Sequence, residues 1–508
     1  MKTIKGLILG SAASILAIGG AQAADLPVKA KAVEYVKVCS LYGAGFYYIP
    51  GSDTCVKIGG AIRLETTLNG QASGNGNWYG GADGSQAFGA NWYGTRTRFN
   101  LNVDTRTATE YGVLRAFGDM KVDFTRGTSG ISGGTIAEVD YVFIQFAGFT
   151  LGKAVSMFDP QWILSKPTIS SGFQAGSNDA TGIPQLAYTA SFGNGVSATI
   201  SAEDAQPYRT AGLVNTSAAF IAPFQANVLP AGTYGLGNFT GNAVSGDHVP
   251  DIVGNIRIDQ AWGSAFVSAA GHEVHSTYYT NADSGRPETT WGYAVSGGFE
   301  LKNLPTGAGD SFKLEATYAK GAAKYVWGGT QDTSGAGRYA RASGNSAGSS
   351  MAFGYVLDGV YSGTNSANGT GISLSTAWDV SAYYEHYWNP KWRTSLYGNY
   401  STIDYGAGGS AALIAALSAG GATAGVTGTL NATGGSMKFS SAQVGTKTAW
   451  QPVKDLTFSA DFLYTRLDQN LVGTYTSTSA VSGAPSGRQF TLGDQNIYQL
   501  QLQALRSF

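Results

Sequence analysis

The chain contains 508 residues, only 13% of them charged, and its formal net charge is −1. This low charged fraction, together with 72 glycines and 12% aromatic residues, argues against a large soluble protein, because soluble surfaces are commonly about 25–35% charged. A balanced charge without a basic cluster also gives no reason to expect a nucleic-acid partner. Strands with one face toward lipid and the other toward water would have this composition.

The N-terminus has the pattern of an export signal. Two lysines precede an apolar stretch at 6–20, and the small-x-small motif Ala21-Gln22-Ala23 follows it. We therefore expect residues 1–23 to be a signal peptide that is cleaved between Ala23 and Ala24. No other segment reaches the roughly 20 consecutive apolar residues that a membrane helix needs, so any membrane crossing must be made by strands.

The two cysteines of the chain, Cys39 and Cys55, both precede the first clear strand. An exported protein meets an oxidising compartment, where a pair of cysteines normally forms a disulfide. We predict a Cys39–Cys55 disulfide within an N-terminal periplasmic segment at 24–55.

Strands are predicted from the alternation of apolar and polar side chains that a strand between lipid and water requires. In the last segment, Leu500 and Leu502 alternate with Gln499, Gln501 and Gln503. The same alternation recurs in segments long enough for a tilted membrane strand. It predicts strands at 56–67, 94–106, 110–124, 136–147, 150–158, 184–193, 195–205, 249–260, 264–275, 289–302, 311–321, 372–388, 392–405, 436–450, 455–468 and 495–508.

The connections between these segments alternate between short turns and long loops. Short turns such as 389–391 contain Pro, Gly, Asn or Asp, whereas the long loops are rich in Gly, Ser, Thr and Asn. The long loops lie at about 68–93, 125–135, 159–183, 206–248, 276–288, 322–371, 406–435 and 469–494. This asymmetry is typical of outer-membrane barrels. We predict an all-β fold: a transmembrane antiparallel β-barrel of about 16 strands over 56–508, which is wide enough for an aqueous lumen.

Chemical motifs are scarce. His272 and His275 are three residues apart, but residues at this spacing on a strand point to opposite faces, so we expect no metal site from them. Gly344 to Gly348 has the nucleophile-elbow spacing but lies in a Gly/Ser-rich loop without a strand-to-helix pattern. We expect neither enzymatic activity nor a bound cofactor.

Several segments resemble the alphaproteobacterial porin family. They are CSLYGAGFYYIPGSDTCVKIGGAIRLE (39–65), VPDIVGNIRIDQAWGSAFVSAAGHEV (249–274), WNPKWRTSLYG (388–398) and the terminal Phe508. The resemblance spans essentially the whole chain after the signal peptide and is weakest in the long loops. It implies a sixteen-stranded, homotrimeric general-diffusion porin in outer-membrane lipid, with a C-terminal strand ending at Phe508 that the barrel-assembly machinery reads.

The resemblance also implies that the third long loop folds into the lumen and forms a constriction. Carried over by position, this loop runs from Asp159 to Ile183. Its charged residues are Asp159, Lys166 and Asp179. The inward arginines that would face it are Arg63, Arg96, Arg98 and Arg115. A transverse field between these groups would orient solutes and bias ion selectivity; with so few acids, weak anion selectivity is as consistent with the sequence as cation selectivity. The alternative is that each arginine pairs with a neighbouring acid of the wall, away from the narrowest point.

These observations predict passive diffusion of small hydrophilic solutes and ions through a water-filled channel. A substrate-selective outer-membrane channel is one alternative, and a surface-exposed barrel that acts as an adhesin or receptor is another. A single-channel conductance that saturates with one solute would favour the first, and an absence of ohmic conductance would favour the second.

Overall fold

A computed structural model describes residues 37–70, 92–125, 134–170, 172–173, 181–204, 211–217, 243–280, 282–327, 341–344, 350–419, 422–423, 426–477, 487 and 489–508. The predicted signal peptide at 1–23, with its cleavage site at Ala23 and Ala24, lies outside these residues, as does Asp179.

Sixteen antiparallel strands form a closed barrel, as predicted. The last strand pairs with the first from Ala61↔Ser507 to Leu68↔Leu500, which closes the sheet. The strands are β1 (Cys55–Leu68), β2 (Tyr93–Thr109), β3 (Gly112–Thr125), β4 (Gly134–Phe146), β5 (Phe149–Ala154), β6 (Ile183–Gly193), β7 (Val196–Glu203), β8 (Asp251–Gln260), β9 (Gly263–Val274), β10 (Thr290–Lys302), β11 (Ser311–Lys320), β12 (Thr376–Asn389), β13 (Trp392–Asp404), β14 (Phe439–Val453), β15 (Leu456–Gln469) and β16 (Gln495–Ser507).

The alternation in the sequence sorts side chains between the two faces of the barrel. On β1, Ile62 and Leu64 point outward and are each 52% exposed, whereas Glu65 points inward and is 1% exposed. The apolar outer surface is suited to lipid and the polar inner surface to water. Among the described residues, no helix is long and apolar enough to span a membrane.

Tight turns join the strands at one end of the barrel. Gly195, between β6 and β7, has a φ of +71°, and a Cβ there would lie 1.8 Å from the carbonyl oxygen of Asp259. Only glycine fits this close approach to the neighbouring turn. The opposite end carries the long loops.

The disulfide between Cys39 and Cys55 is present, as predicted. Phe46 is buried beside the two cysteines. Because Cys55 is also the first residue of β1, the disulfide attaches the N-terminal segment to the barrel wall.

The fifth strand is shorter than the predicted 150–158, since β5 ends at Ala154. Beyond Ala154 the backbone no longer pairs with a neighbouring strand. Ser156 and Met157 instead form hydrogen bonds with side chains of β7 and β8. Glu203 of β7 accepts hydrogen bonds from Ser156 Oγ (2.7 Å) and the Met157 amide (2.8 Å), and Asn255 of β8 donates to the Met157 carbonyl (2.5 Å). These side-chain bonds turn the chain into the lumen.

The long loops contain regular structure that the sequence pattern did not predict. The predicted loop at 406–435 includes a helix, α1 (Gly406–Ser418), and a strand, Val426–Gly434. Loop strands also form a separate six-stranded sheet and a three-stranded sheet. The twelfth strand begins at Thr376 instead of 372, because Ser373–Leu374 pairs with the loop strand Leu357–Tyr361.

Buried apolar loop residues pack inside the long-loop end of the barrel, and we call them the loop cap. The loop cap includes Tyr325, Val326, Trp327, Tyr355, Val356, Leu357, Leu413, Leu417, Tyr475 and Phe490. It packs against inward residues at the ends of β8 to β16, namely Val253, Ala270, Ala294, Ala319, Ala377, Ile403, Phe439, Leu467 and Ile497. Among the described residues, this apolar cluster includes no member of β1 to β7.

Candidate functional site

We call the segment between β5 and β6, residues 155–182, the inner loop. Its described residues, 155–170, 172–173 and 181–182, lie within the lumen. Its first part lies along β8 and β9. Arg257 Nη2 donates to the carbonyl of Asp159 at 2.6 Å, and Trp162 packs edge-on against Phe266 with ring centroids 5.3 Å apart. These contacts hold the start of the inner loop against the wall opposite β1.

The middle of the inner loop reaches β12 to β16. Asp461 of β15 accepts hydrogen bonds from Thr168 Oγ1 at 2.9 Å and from the Ile169 amide at 2.7 Å. Gln499 of β16 donates to Ser170 Oγ at 2.6 Å. These partners are separated by about 300 residues in sequence, so only closure of the barrel brings them together.

An aromatic contact and a return to β4 complete the path of the inner loop. Phe173 packs edge-on against Tyr383 and Tyr397, at centroid distances of 5.7 and 4.8 Å. The Gly182 amide then donates to the carbonyl of Asp140 at 2.9 Å. The described part of the inner loop therefore contacts the wall at β8 and β9, then at β12 to β16, and finally at β4.

Three of the four predicted arginines form one cluster on β1 and β2. The register pairs Arg63 with Arg98 and Glu65 with Arg96. Arg96 Nη2 lies 2.5 Å from Glu65 Oε2, and Arg63 Nε lies 3.4 Å from Glu65 Oε1. Arg98 forms a two-pronged pair with Asp123 of β3, with distances of 2.5 and 2.6 Å. We call Arg63, Arg96 and Arg98 the arginine cluster.

Arg115 lies apart from this cluster. Both of its guanidinium contacts to Asp104 measure 3.0 Å, and Nη1 donates to Gln145 at 3.0 Å. Its guanidinium also lies over the rings of Phe117 and Phe143. Arg115 is three residues from the start of β3, close to the short-turn end and away from the contacts that the described inner-loop residues make. The sequence analysis grouped Arg115 with the other arginines because the alternation of side chains along a strand shows which face a residue lies on. It does not show how far along the barrel axis the residue lies.

The charged residues of the inner loop differ in their surroundings. Asp159 is 4% exposed, and burial together with the nearby Glu203 carboxylate raises its pKa well above the usual value, against the opposing effects of Lys166 and Arg257. Asp179 lies outside the described residues. Of the loop's acids, the one that is described is therefore buried against β8 and does not face the arginine cluster.

A second ionic cluster, absent from the sequence prediction, joins the loop cap to the wall. His272 Nδ1 of β9 lies 2.6 Å from Asp251 Oδ1 of β8, and its Nε2 lies 3.5 Å from Asp358 of the loop strand Leu357–Tyr361. Lys324 Nζ and the Tyr325 hydroxyl contact the other oxygen of Asp251, at 3.2 and 2.7 Å. The short turn after Gln260 sets the β8–β9 register, so counting back from that turn could have placed Asp251 opposite His272.

His272 and His275 lie in different surroundings. His272 faces the lumen, whereas His275 Nδ1 lies 2.6 Å from Thr289 Oγ1. His275 groups instead with His248 and Glu273. Sequence reasoning missed this group because His248 is separated from the other two by the whole β8–β9 hairpin.

Comparison with known proteins agrees with the architecture. The family model described as "Porin subfamily" matches residues 25–499. Porin Omp2b of Brucella suis biovar 1 is 32% identical over 271 residues, which cover 51% of this chain and 64% of that protein. Porin Omp2b of Brucella melitensis biotype 1 is 31% identical over 273 residues, with the same coverage. The chain thus spans less than two thirds of the length of these curated relatives.

A solved structure has the same fold. The outer membrane channel DcaP of Acinetobacter baumannii superposes with a TM-score of 0.54 at 15% sequence identity, covering 91% of this chain and 99% of that chain. The family match, the relatives and the closed barrel agree: the chain belongs to the porin subfamily of bacterial outer-membrane β-barrels.

Proposed function

We propose that the protein is a diffusion channel for small hydrophilic solutes and ions, and that the permeation path runs beside β1 to β3. The observation that carries the proposal is the course of the inner loop, which binds β8, β9 and β12 to β16. The loop cap also packs against β8 to β16. Both features lie mainly along β8 to β16, the inner loop returns to the wall at β4, and the arginine cluster lies on β1 and β2.

The arginine cluster is proposed to line the constriction. Arg63 is 24% exposed at its side chain and Arg98 is 13% exposed, whereas Glu65 is 1% and Asp123 is 11% exposed. Glu65 is covered by the guanidinium groups that it neutralises, and Arg63 is the most exposed member of the cluster, whereas Arg98 and Asp123 are about equally exposed. Water in the lumen is therefore proposed to meet a weak excess of cationic groups, mainly at Arg63. A surface of this kind favours anions weakly. Lys166 and Asp159 of the inner loop are proposed to contribute little to the field, and Arg115 to act as a wall residue near the short-turn end.

Reversal potentials in a salt gradient test the proposal. Parent protein in a planar bilayer should give ohmic conductance with a weak anion preference, and the double variant Arg63→Ala/Arg98→Ala should shift the reversal potential toward cation preference. Arg506→Ala is the matched control, because Arg506 is 52% exposed and pairs with Asp455 at the end of β16. An unchanged reversal potential in the double variant would place the constriction elsewhere, and an absence of ohmic conductance would exclude the channel.

A substrate-selective channel is a second candidate, and the loop cap favours it. Trp327 and Leu357 are both 0% exposed inside the barrel mouth, so the opening toward the outside is smaller than a sixteen-stranded barrel alone would leave. A selective channel would show a conductance that saturates with, or is blocked by, one solute. A linear dependence on solute concentration would favour general diffusion.

We also propose that the protein forms homotrimers in outer-membrane lipid, as the family resemblance implies. The outward faces of β2 to β4 carry large exposed apolar side chains, among them Phe99, Met120, Phe124 and Ile144. An apolar outer face is suited either to lipid or to a neighbouring subunit. A heat-sensitive gel band at about three times the chain mass would support the trimer, and a band at the monomer mass under mild conditions would contradict it.

A further inference from the structure

Three potential metal ligands meet at the long-loop end of β8 and β9. They are His248, Glu273 and His275, and one ligand atom from each lies within 4.8 Å of the other two. Glu273 and His275 are two residues apart and therefore share a side of the chain. His248 lies three residues before the start of β8, and the β8–β9 pairing brings it beside Glu273.

One carboxylate oxygen of Glu273 accepts backbone hydrogen bonds, and the other faces a histidine. Glu273 Oε2 accepts hydrogen bonds from the amides of His248 (2.9 Å) and Val249 (3.2 Å). Its Oε1 lies 3.5 Å from His248 Nδ1. The backbone bonds orient the carboxylate, which leaves Oε1 facing the His248 ring.

His275 is held in a suitable orientation by a hydroxyl group. Its Nδ1 lies 2.6 Å from Thr289 Oγ1, a contact that can hold the ring with Nε2 directed away from Thr289. Metal-binding histidines commonly have such a partner on the other ring nitrogen.

The rings of the two histidines are adjacent. Their centroids are 4.2 Å apart, with an angle of 59° between the ring planes. A tetrahedral zinc site places ligand atoms about 3.4 Å apart. The three ligand atoms, which lie within 4.8 Å of one another, must therefore move slightly closer together to bind the ion. The His248 side chain is 60% exposed and can rotate to provide it.

The guanidinium of Arg286 occupies the place beside His275 that a metal ion would need. Its Nη1 lies 3.1 Å from both ring nitrogens of His275, so its guanidinium stabilises the ring when no ion is bound. Glu273 and Asp247 both act on His275 as opposing negative charges. With two carboxylates against one guanidinium, the local charge favours a cation.

We propose that His248, Glu273 and His275 form a binding site for a borderline divalent transition-metal ion, with Zn²⁺ as the reference ion. Two imidazoles and one carboxylate form a ligand set that Zn²⁺ accepts with a further position open to water. Bound metal would connect the segment before β8 to the segment after β9 and would replace the contact from Arg286. The site lies at the barrel rim and is independent of the proposed permeation path.

Calorimetric titration of the folded, tag-free protein in detergent with Zn²⁺ alone tests the site. The parent should bind one Zn²⁺ per chain. Single variants His248→Ala and His275→Gln should each weaken binding by more than about tenfold, because even an outer partner of a metal ligand contributes that much. Arg286→Gln should tighten binding by about fivefold, since it removes a nearby positive charge.

His386→Gln is the matched control, because His386 lies near the short-turn end and pairs with Asp310 at 2.7 Å. Its Zn²⁺ affinity should equal that of the parent. With Co²⁺ as the probe, the parent should give the visible absorption bands of a low-coordinate site, and His248→Ala should lose them. Heat-modifiable gel migration confirms that each variant is folded. No binding by the parent, equal binding by both ligand variants, or weaker binding by Arg286→Gln would overturn the proposal.

Discussion

Arg96 Nη2 lies 2.5 Å from Glu65 Oε2, and both side chains are almost completely buried in the barrel wall. The same carboxylate accepts hydrogen bonds from Gln501 (3.3 Å) and Gln503 (2.9 Å) of β16. Glu65 therefore links the arginine cluster to the seam where the last strand meets the first. Its charge contributes to closure of the barrel and, in the proposed constriction, to the field in the lumen.

Replacement of Glu65 by Gln should destabilise the barrel and raise its anion preference. Removing one partner of a buried ion pair costs about 3–5 kcal/mol, and Asp123, 3.6 Å from Arg96, offsets part of this loss. The measurements are the urea midpoint of unfolding and the reversal potential. Glu110→Gln, at an exposed turn residue, should change neither quantity. If Glu65→Gln unfolded at the same urea midpoint as the parent, Glu65 would not stabilise the junction between β1 and β16.

Replacement of Asp461 by Ala should release the middle of the inner loop. Asp461 accepts hydrogen bonds from Thr168, Ile169 and the Tyr397 hydroxyl, and each bond to a charged group contributes about 1.5–3 kcal/mol. We expect a larger and noisier single-channel conductance. Asp468→Ala, at a half-exposed rim residue of the same strand, should behave as the parent. Equal conductance in both variants would show that the inner loop does not narrow the path.

Docking of the inner loop should weaken as the pH rises, because of Asp159. Burial raises the pKa of Asp159 well above 3.8, so the docked loop binds this proton more tightly than an undocked loop does. The stabilisation is complete below pH 3.8 and is lost as the pH rises through the raised pKa. The protection factors of amides 157–165 against hydrogen exchange, which divide out the base-catalysed rise of the intrinsic rate, should therefore be lower at pH 8 than at pH 5. Asp159→Asn should remove this difference. Asp494→Asn, at an exposed rim carboxylate, should keep it.

Replacement of His272 by Gln should loosen the attachment of the loop cap. His272 separates Asp251 and Asp358, both 2% exposed, and its loss leaves two buried carboxylates with less compensation. Breaking such a buried contact costs about 3–5 kcal/mol, whereas the barrel strands keep their own hydrogen bonds. Limited proteolysis should cleave the segment 350–375 faster in His272→Gln than in the parent or in His386→Gln. Equal cleavage rates in all three proteins would mean that the apolar packing alone holds the cap.

The strand pattern was predictable because its physical cause is local. A strand between lipid and water must alternate apolar and polar residues, so the inward position of Glu65 and the outward positions of Ile62 and Leu64 follow from parity. The disulfide was predictable for a similar reason, since an exported chain with only Cys39 and Cys55 has one possible intramolecular pair.

Depth along the barrel and the folding of the loops were decided by tertiary structure. The alternation of side chains placed Arg115 on the same face of the wall as Arg63. It could not show that Arg115 pairs with Asp104 near the short turns. The Gly/Ser/Thr-rich loops have no periodicity that predicts α1 or the loop cap. Contacts such as Asp461 to Ile169 join residues 292 positions apart. The amino-acid sequence alone therefore determined the barrel, its closure and its polar lumen, because lipid and water act on each strand locally. The side of the lumen that the loops fill was decided only when the closed barrel brought distant side chains within hydrogen-bonding distance.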